Sequence, residues 1–446
     1  MNYSRRSFMK YASLAASGSA LGLNPFGSLS ALAQSSGDYK ALVCLFLYGG
    51  NDTNNVIIPG AQSADYANYA ALRQGLALNQ NQLLPLNGQS SLMLNAAMPN
   101  LQAMFNSGAA AMIANTGSLI QPLTRAQYLA GGAVTPLNLF SHEDQQNIWQ
   151  TAIPNTTGTT GWAGRVADNL APSLGTLKVP IAISVSGSPI YGTGVTTSCL
   201  AVNPLQAGSL ACSEGTACSG RLAAAQQLLT LNSGVTLIQA DDTMSSNAYN
   251  YSQVMSSVLA STPKVTTTLL TNNPLKPQIE QILQIISARA SLGAQRQIFF
   301  ASLGGFDTHG DQLDLQAGLL PQVDAALAAL YNHTGEMGIA NQVTSFTMSE
   351  FSRALEPNTA GGSDHAWGTH VMVVGGGVKG GNIYGTFPTL ELGGPNDAGS
   401  NGRWIPTTSS SQFVATLASW FGVPASSLPT LLPYLSNFSS QNLGFV

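Results

Sequence analysis

The sequence predicts an α/β fold built on a mostly parallel central sheet, and three observations support that prediction. Short apolar runs alternate along the chain with helical patterns. Each run is followed by a polar or glycine-rich turn, such as Gly49-Gly50-Asn51-Asp52. The runs are apolar throughout, which is typical of parallel strands that helices cover on both faces. Strand, loop and helix repeated in this order indicate a doubly wound sheet.

The individual elements follow from these patterns in chain order. Apolar runs predict strands at 41–47, 109–114, 179–185, 297–303, 343–348 and 371–374. Helical periodicity predicts helices at 146–151, 277–290 and 313–331. The segment from about 187 to 261 is rich in Ser, Thr, Asn and Gln and lacks regular periodicity. We therefore expect an irregular insertion or cap there, over the edge of the sheet.

The N-terminus has the features of a twin-arginine export signal. Ser4-Arg5-Arg6-Ser7-Phe8-Met9-Lys10 precedes a mildly apolar stretch that ends in Ala31-Leu32-Ala33. This order of features favours a signal over an amphipathic first helix. We expect the twin-arginine translocation machinery to export the chain and residues 1–33 to be cleaved off. Residues 34–446 are then expected to form a single domain that is periplasmic or secreted.

The net charge and the hydropathy of the chain argue against nucleic acid as a partner and against a membrane span. Removal of residues 1–33 lowers the formal charge from −4 to −7, because the signal contains three basic residues and no acidic ones. A nucleic-acid binder needs cations that neutralise phosphates, so we expect no nucleic-acid partner. No other apolar stretch is long enough to cross a bilayer, so we expect no transmembrane anchor in the mature chain.

Cysteine usage fits an exported protein. Cys44 lies in an apolar run and is predicted to be a buried thiol. Cys199, Cys212 and Cys218 crowd one polar segment, and one disulfide is expected among these three in an oxidising compartment.

Four of the five histidines lie in three short polar clusters, which predicts a metal site. The clusters are Ser141-His142, Asp307-Thr308-His309 and the run from Asp364 to His370 that contains His365. Neutral imidazole and ionised carboxylate supply the lone pairs that divalent cations coordinate. Zinc is favoured, with Mg²⁺, Mn²⁺ and Ca²⁺ as alternatives.

Acidic residues just past predicted strands extend this metal hypothesis. Asp52, Asp307 and Glu350 each follow a strand, and loops at the carboxyl ends of parallel strands converge at one edge of a sheet. The candidate ligands are Asp52, Asp307, His309, Glu350, His365 and His370. Structural alternatives stay open: a turn for Asp52, a helix cap for Asp307, a surface pair for Glu350 with Arg353, and an ordinary loop for 364–370.

Three further residues are candidates for catalysis. Ser141 precedes a helical stretch, so it either attacks an ester near the helix N-terminus or simply caps the helix. His142 adjoins it, and Arg353 carries a planar guanidinium that suits an oxyanion. A Ser-His-Asp esterase is a weaker hypothesis, because Ser141 lacks the flanking glycines of Gly-x-Ser-x-Gly.

At these clusters the chain resembles the exported bacterial family DUF1501. The similar segments include 42–59, 138–165, 298–312, 346–370 and 380–423, and they contain Asp364-His365-Ala366-Trp367-Gly368-Thr369-His370 and Gly402-Arg403-Trp404-Ile405-Pro406. That family looks related to the alkaline phosphatase and sulfatase superfamily. The resemblance implies a three-layer alkaline-phosphatase-like sandwich with two metal ions at the strand ends.

The resemblance also implies roles for single residues. Asp52 would be the metal ligand after the first strand, and Ser141 the nucleophile at a helix N-terminus. Asp307, His309, Glu350 and either His365 or His370 would complete the ligands. The chain has no Cys/Ser-x-Pro-x-Arg run, so formylglycine sulfatase activity is disfavoured. The expected activity is metal-dependent hydrolysis of a small-molecule or polymer ester. The alternative is a non-catalytic cell-surface or polymer-associated protein that keeps a metal for stability.

Overall fold

A nine-stranded, mostly parallel sheet forms the centre of the molecule in the computed structural model. The structure describes residues 39–60, 63–204, 216–230 and 234–446, so the predicted signal at 1–33 lies outside the described residues. Residues 40–446 form one compact unit. The strands of the large sheet, in chain order, are β1 Lys40–Leu47, β5 Ala110–Gly117, β6 Ala182–Ser184, β7 Leu200–Ala201, β8 Arg296–Leu303, β9 Val343–Met348, β10 Thr369–Val374, β11 Ile383–Tyr384 and β12 Thr408–Ser409. A small antiparallel sheet contains β2 Ile57–Pro59, β3 Leu83–Leu86 and β4 Gln89–Asn95.

All six predicted strands are present, and the α/β fold class is confirmed. The strand order is β11-β5-β10-β9-β1-β8-β6-β7, with β12 also paired to β5. The expectation that 371–374 is a parallel strand is wrong, because β10 runs antiparallel to both β5 and β9. Apolar composition alone reports burial and carries no information on strand direction, so the sequence pattern missed this reversal.

Helices cover both faces of the sheet. Along β1, Leu42, Cys44 and Phe46 pack into a core that includes Trp149 and Phe413 from helices on one face. The alternate residues of a strand point to the other face, where helices contact β8 and β9. The helices in chain order are α1 Ala64–Arg73, α2 Pro99–Asn106, α3 Arg125–Leu129, α4 His142–Thr151, α5 Trp162–Leu170, α6 Thr216–Leu228, α7 Thr236–Ser261, α8 Leu275–Ser287, α9 Arg289–Leu292, α10 Gln312–Glu336, α11 Ser410–Phe421 and α12 Leu428–Leu431.

The segment expected to be irregular contains two of these helices. α6 and α7 lie between residues 187 and 261. Leu, Ala and Gln are strong helix formers, and in this segment they favour helix despite the high Ser and Asn content. In the described part of the chain, no helix combines the length and apolar character that a membrane span requires.

The cysteine predictions have two outcomes. Cys44 is fully buried as predicted, and burial raises the pKa of its thiol. Cys199 is a free thiol in the structure. Cys212 and the side chain of Cys218 lie outside the described residues, so a disulfide between those two stays a prediction.

Sheet topology places several polar loops at one edge. β1 pairs in parallel with both β8 and β9, with Leu47 beside Leu303 and Phe46 beside Met348. The loops that follow these three strands therefore leave the sheet side by side. Because β10 runs in the opposite direction, the loop that precedes it arrives at the same edge. This reversed strand is what brings the segment containing His365 next to the loops after β1, β8 and β9.

Candidate metal centre

Three side chains from distant parts of the chain meet at this edge. His142 is the first residue of α4, Asp307 follows β8, and His365 lies in the loop before β10. One ligand atom from each lies within 4.8 Å of the other two. The His142 Nε2 atom is 3.0 Å from His365 Nε2 and 3.3 Å from Asp307 Oδ1, and His365 Nε2 is 3.5 Å from the same oxygen.

The hydrogen bonds behind the two imidazoles fix which ring nitrogen faces the centre. His365 Nδ1 lies 2.7 Å from the carbonyl oxygen of Phe140, which can only accept a hydrogen bond. His142 Nδ1 lies 2.8 Å from Oε1 of the buried Glu350. Both Nδ1 atoms therefore donate, and in the neutral rings both Nε2 atoms direct a lone pair at the centre. A metal-binding imidazole usually donates its other ring N–H to a carboxylate or a backbone carbonyl in this way.

The resulting set of three acceptors fits a divalent cation. Two nitrogen lone pairs and a carboxylate oxygen repel one another at 3.0 to 3.5 Å unless a positive charge lies among them. Ligand atoms at about 2.0 to 2.2 Å from a tetrahedral ion lie roughly 3.3 to 3.6 Å apart, which is close to the observed triangle. Three protein ligands leave a fourth position for water or substrate.

His309 borders this triangle. Its Nε2 atom is 2.9 Å from His365 Nε2 and 3.1 Å from Asp307 Oδ1, and its Nδ1 is 3.6 Å from Asp364 Oδ1. About half of the His309 side chain is exposed. His309 therefore borders the triangle, and its Nε2 atom also lies 3.3 Å from an Arg353 nitrogen.

The surroundings shift the ionisation of the three central groups in different directions. The hydrogen bond to Glu350 is the main cause that raises the pKa of His142, against the effect of partial burial. Burial lowers the pKa of His365, and the nearby His142 and Arg353 add to that effect. Partial burial acts to raise the pKa of Asp307, but the hydrogen bond and charge of Arg353 outweigh it, so the pKa falls below its usual value. The carboxylate is thus ionised, as a metal ligand must be.

Arg353 positions the centre and is not available to a substrate. Its side chain is fully buried. Its five N–H groups point at acceptors within the chain, namely the Gly49, Gly50 and Ser363 carbonyl oxygens, His309 Nε2 and Asp307 Oδ1. The predicted role in binding an oxyanion does not fit this arrangement, because no donor is left over. Its guanidinium instead ties the loop after β1 to the loop after β8.

Glu350 contacts the centre through His142. Its Oε1 atom accepts hydrogen bonds from His142, from the Gly49 amide at 2.8 Å and from Gln146 at 2.9 Å. Its side chain is completely buried. Glu350 therefore orients His142, and no described contact joins it to Asp307 or His365. The close approach depends on Gly49, where an added Cβ would lie 2.3 Å from the Asp307 amide nitrogen.

Asp52 reaches the same edge of the sheet but not the cluster. It is buried and forms an ion pair with Arg73 of α1, and it also accepts from Gln312 and from the Asn54 amide. Burial is the largest influence and raises the pKa of Asp52, although the charge of Arg73 opposes the shift. The sequence predicts a metal ion beside Asp52. In the structure, the cation that contacts Asp52 is the guanidinium of Arg73.

His370 is also outside the cluster. Its Nδ1 accepts a hydrogen bond from the Asn115 amide at 2.9 Å, and its ring stacks on Phe387. Burial lowers the pKa of His370 to about 3. Of the two histidines proposed as the last ligand, the structure brings His365 to the centre and leaves His370 in an apolar environment.

Ser141 caps the helix that carries His142. Its backbone is extended, and its Oγ accepts from the Asp144 amide at 3.4 Å. The described contacts of this hydroxyl include none with the three central residues. Ser141 therefore fits the capping alternative, and a role as nucleophile stays a prediction.

Two phenylalanines complete the centre, and the sequence analysis missed both. Phe351 stacks on His365, with ring centroids 4.8 Å apart, and lies at the same distance from His142. Phe140 has a φ of +75°, a strained value for this residue type, and its carbonyl oxygen receives the His365 hydrogen bond. Phe351 follows the predicted ligand Glu350 in sequence, which could have indicated its place in the site. The contact of the Phe140 carbonyl has no sequence signature.

Comparison with protein families identifies one match. The model described as "Protein of unknown function (DUF1501)" matches residues 39–398. This match covers most of the chain and confirms the resemblance drawn from the sequence. A comparison with curated proteins gave no match.

Solved structures similar to the chain have low identity to it. They include a protein in the alkaline phosphatase superfamily from Vibrio parahaemolyticus, with 9% identity, a TM-score of 0.34, and coverage of 87% of this chain and 68% of the other. A sulfatase from Pseudoalteromonas sp. has 10% identity and a TM-score of 0.36, with 91% and 73% covered. The lipoteichoic acid synthase from Listeria monocytogenes has 9% identity and a TM-score of 0.32, with 91% and 74% covered. Likeness of this degree carries no information about substrate or mechanism.

Proposed function

The chain belongs to the DUF1501 family, and we propose that it is an exported metal-dependent hydrolase of phosphate or related esters. The observation that supports this proposal is the convergence of His142, His365 and Asp307 with their lone pairs directed at one point. A nitrogen-rich set with one carboxylate suits Zn²⁺ better than Mg²⁺ or Ca²⁺. When bound, a divalent cation supplies a Lewis acid that polarises an ester oxygen and acidifies a water molecule.

The residues around the centre have separate tasks in this proposal. Glu350 and the Phe140 carbonyl orient the two imidazoles, and Arg353 holds Asp307 in its ionised form. Ser141, one residue before His142, is the proposed nucleophile, with water as the alternative. The proposal contains one metal ion, because the described contacts of the buried Asp52 carboxylate are with Arg73, Gln312 and the Asn54 amide and include no imidazole that could share a second ion.

Export is part of the same proposal. Ser4-Arg5-Arg6 and Ala31-Leu32-Ala33 support passage through the twin-arginine machinery and a periplasmic or secreted location. That route carries folded proteins, so the metal would be bound before export.

The test is metal analysis of the mature chain together with turnover of a generic phosphate ester, p-nitrophenyl phosphate. We expect one equivalent of metal, turnover that a chelator abolishes, and loss of both metal and turnover in His365→Gln. His333→Gln is the matched control, because His333 lies outside the three clusters on α10. Retention of metal and turnover by His365→Gln would contradict the proposal.

One observation favours a second candidate, a non-catalytic metal-stabilised binding protein. Arg353 has no free donor and Ser141 serves as a helix cap, so two of the three candidate catalytic residues have structural roles. This candidate predicts one tightly held ion, a lower melting temperature after chelation, and no turnover of phosphate esters. Turnover that disappears in Ser141→Ala, with metal content unchanged, would exclude it.

A further inference from the structure

A cavity of about 730 Å³ lies apart from the residues of the metal centre, between α1, β4 and the loop around Phe387. Its volume is in the range of small-molecule sites, which are usually concave and mostly apolar with a few polar groups. Its lining includes the apolar side chains of Leu92, Phe387, Pro388 and Leu390 and the carboxylates of Asp65 and Glu391.

The apolar floor of this cavity is built from three chain segments. Pro59, Leu92, Pro388 and Leu390 are buried. Leu390 and the neighbouring Phe387 belong to or pack against a core cluster. The floor is therefore a fixed surface, since it is held from behind by packed side chains.

Negative charge is concentrated at the rim. Asp65 and Glu391 are exposed lining residues, and within the described residues neither has an ion-pair partner. No Lys or Arg lines the cavity. Arg73, the basic residue of the adjoining helix α1, is turned away from the cavity and bound to Asp52. Asp65 also lies in the first turn of α1, where it favours the helix dipole, but that role does not account for Glu391.

An aromatic ring adds a third feature. Phe387 lines the cavity and is held in place by its stacking on His370, with centroids 5.1 Å apart. Aromatic rings attract cations through their π faces. An apolar floor, two carboxylates without cations and an aromatic ring together select for a ligand that is apolar in body and positive in charge.

We propose that this cavity binds a small organic cation, an alkyl- or arylammonium compound, at a site separate from the metal centre. The apolar body lies on Leu92, Leu390 and Phe387, and the ammonium group lies toward Asp65 and Glu391. The proposal is independent of hydrolase activity, because it uses none of the residues of the metal centre.

The experiment compares three probes of similar size by calorimetric titration of the mature protein. Benzyltrimethylammonium is the cation, benzyl alcohol is neutral and phenylacetate is an anion. We expect saturable binding of the cation, weaker binding of the alcohol and the weakest binding of the anion. Absence of saturable cation binding, or equal affinity for all three probes, overturns the proposal.

Isosteric variants locate the binding. Asp65→Asn combined with Glu391→Gln should weaken cation binding by roughly three- to tenfold, because each exposed charge contributes modestly, and should leave the affinity for benzyl alcohol unchanged. Asp314→Asn, an exposed carboxylate that lines a different cavity, is the matched control. Both sites of change are on the surface, so folding is preserved. Unchanged cation affinity in the double variant overturns the assignment to this cavity.

Discussion

Asp307 and Asp52 leave neighbouring parallel strands at the same edge of the sheet, yet they have opposite surroundings. Asp52 is almost fully buried and is neutralised by the guanidinium of Arg73. The Asp307 side chain is 51% exposed, and the Nε2 atoms of His142, His309 and His365 lie within 3.5 Å of its Oδ1. Both carboxylates pair with a buried guanidinium, Asp52 with Arg73 and Asp307 with Arg353, but only Asp307 also has imidazole nitrogens around it. Both carboxylates thus lie at strand ends. The histidines that neighbouring segments place beside Asp307 decide which of the two can bind a metal.

The largest expected effect tests the internal ion pair. Arg73→Met should destabilise the protein by about 3 to 5 kcal/mol, because it leaves a buried carboxylate without its partner. Asp307→Asn should cause a smaller loss, since its carboxylate is half exposed and screened by water. Urea denaturation of the metal-free variants measures both values. Equal losses would remove the distinction between the two carboxylates.

The next effect tests whether the imidazoles around Asp307 bind metal. Glu350→Gln keeps the shape of the side chain but weakens its hold on His142, so metal affinity should fall about 10- to 100-fold. Competition with a chromophoric chelator gives the dissociation constant. Glu336→Gln, an exposed change at the end of α10, is the control and should have no effect. An unaltered affinity in Glu350→Gln would contradict the assigned role of Glu350.

A third prediction concerns His370, the imidazole that the fold keeps away from the centre. Burial lowers its pKa from 6.5 to about 3. Between these values the unfolded chain binds a proton that the folded chain does not. Stability should therefore decrease as the pH falls below about 6.5, by up to roughly 1.4 kcal/mol per pH unit from this group.

The measurement is the free energy of unfolding at pH 6.5 and pH 5 for the parent chain and for His370→Gln. The variant should lose less stability over this interval, because its side chain does not titrate. Identical slopes for the parent and His370→Gln would mean that His370 is protonated in the folded protein.

The smallest effect concerns Ser141. Ser141→Ala removes the helix cap and should reduce stability by about 1 kcal/mol. Metal affinity should be unchanged, because the described contacts of the Ser141 hydroxyl include none with the side chains of the central residues, whereas hydrolysis should be lost if Ser141 is the nucleophile. Chelator competition and ester turnover separate these contributions. A large fall in metal affinity would show that the cap, through α4, sets the position of His142.

Much of the fold could be predicted from the sequence, because apolar runs of fixed length report buried strands directly. Strand direction could not, and β10 is the example: it runs antiparallel to both β9 and β5, and its apolar composition does not indicate direction. In the site, the side chains of Asp307, His309 and His365 lie close together, and their role as metal ligands stays a prediction. Asp52 and His370 lie outside the cluster, where Asp52 pairs with Arg73 and His370 accepts a hydrogen bond from the Asn115 amide. No spacing rule in the sequence indicates either partner.

His142 illustrates a further limit. Its sequence position beside Ser141 suggested catalysis, but its place at the centre depends on a buried Glu350 that is 208 residues away. The Phe140 carbonyl that orients His365 has no side-chain identity to recognise. Backbone contacts and outer partners of this kind become visible only when the chain is folded.

A crystal structure with anomalous data collected at the zinc edge tests the central claim most directly. We expect one anomalous peak, about 2.0 to 2.2 Å from Nε2 of His142, Nε2 of His365 and Oδ1 of Asp307. Zinc-soaked crystals without a peak at this point, or with the peak beside Asp52, would contradict it.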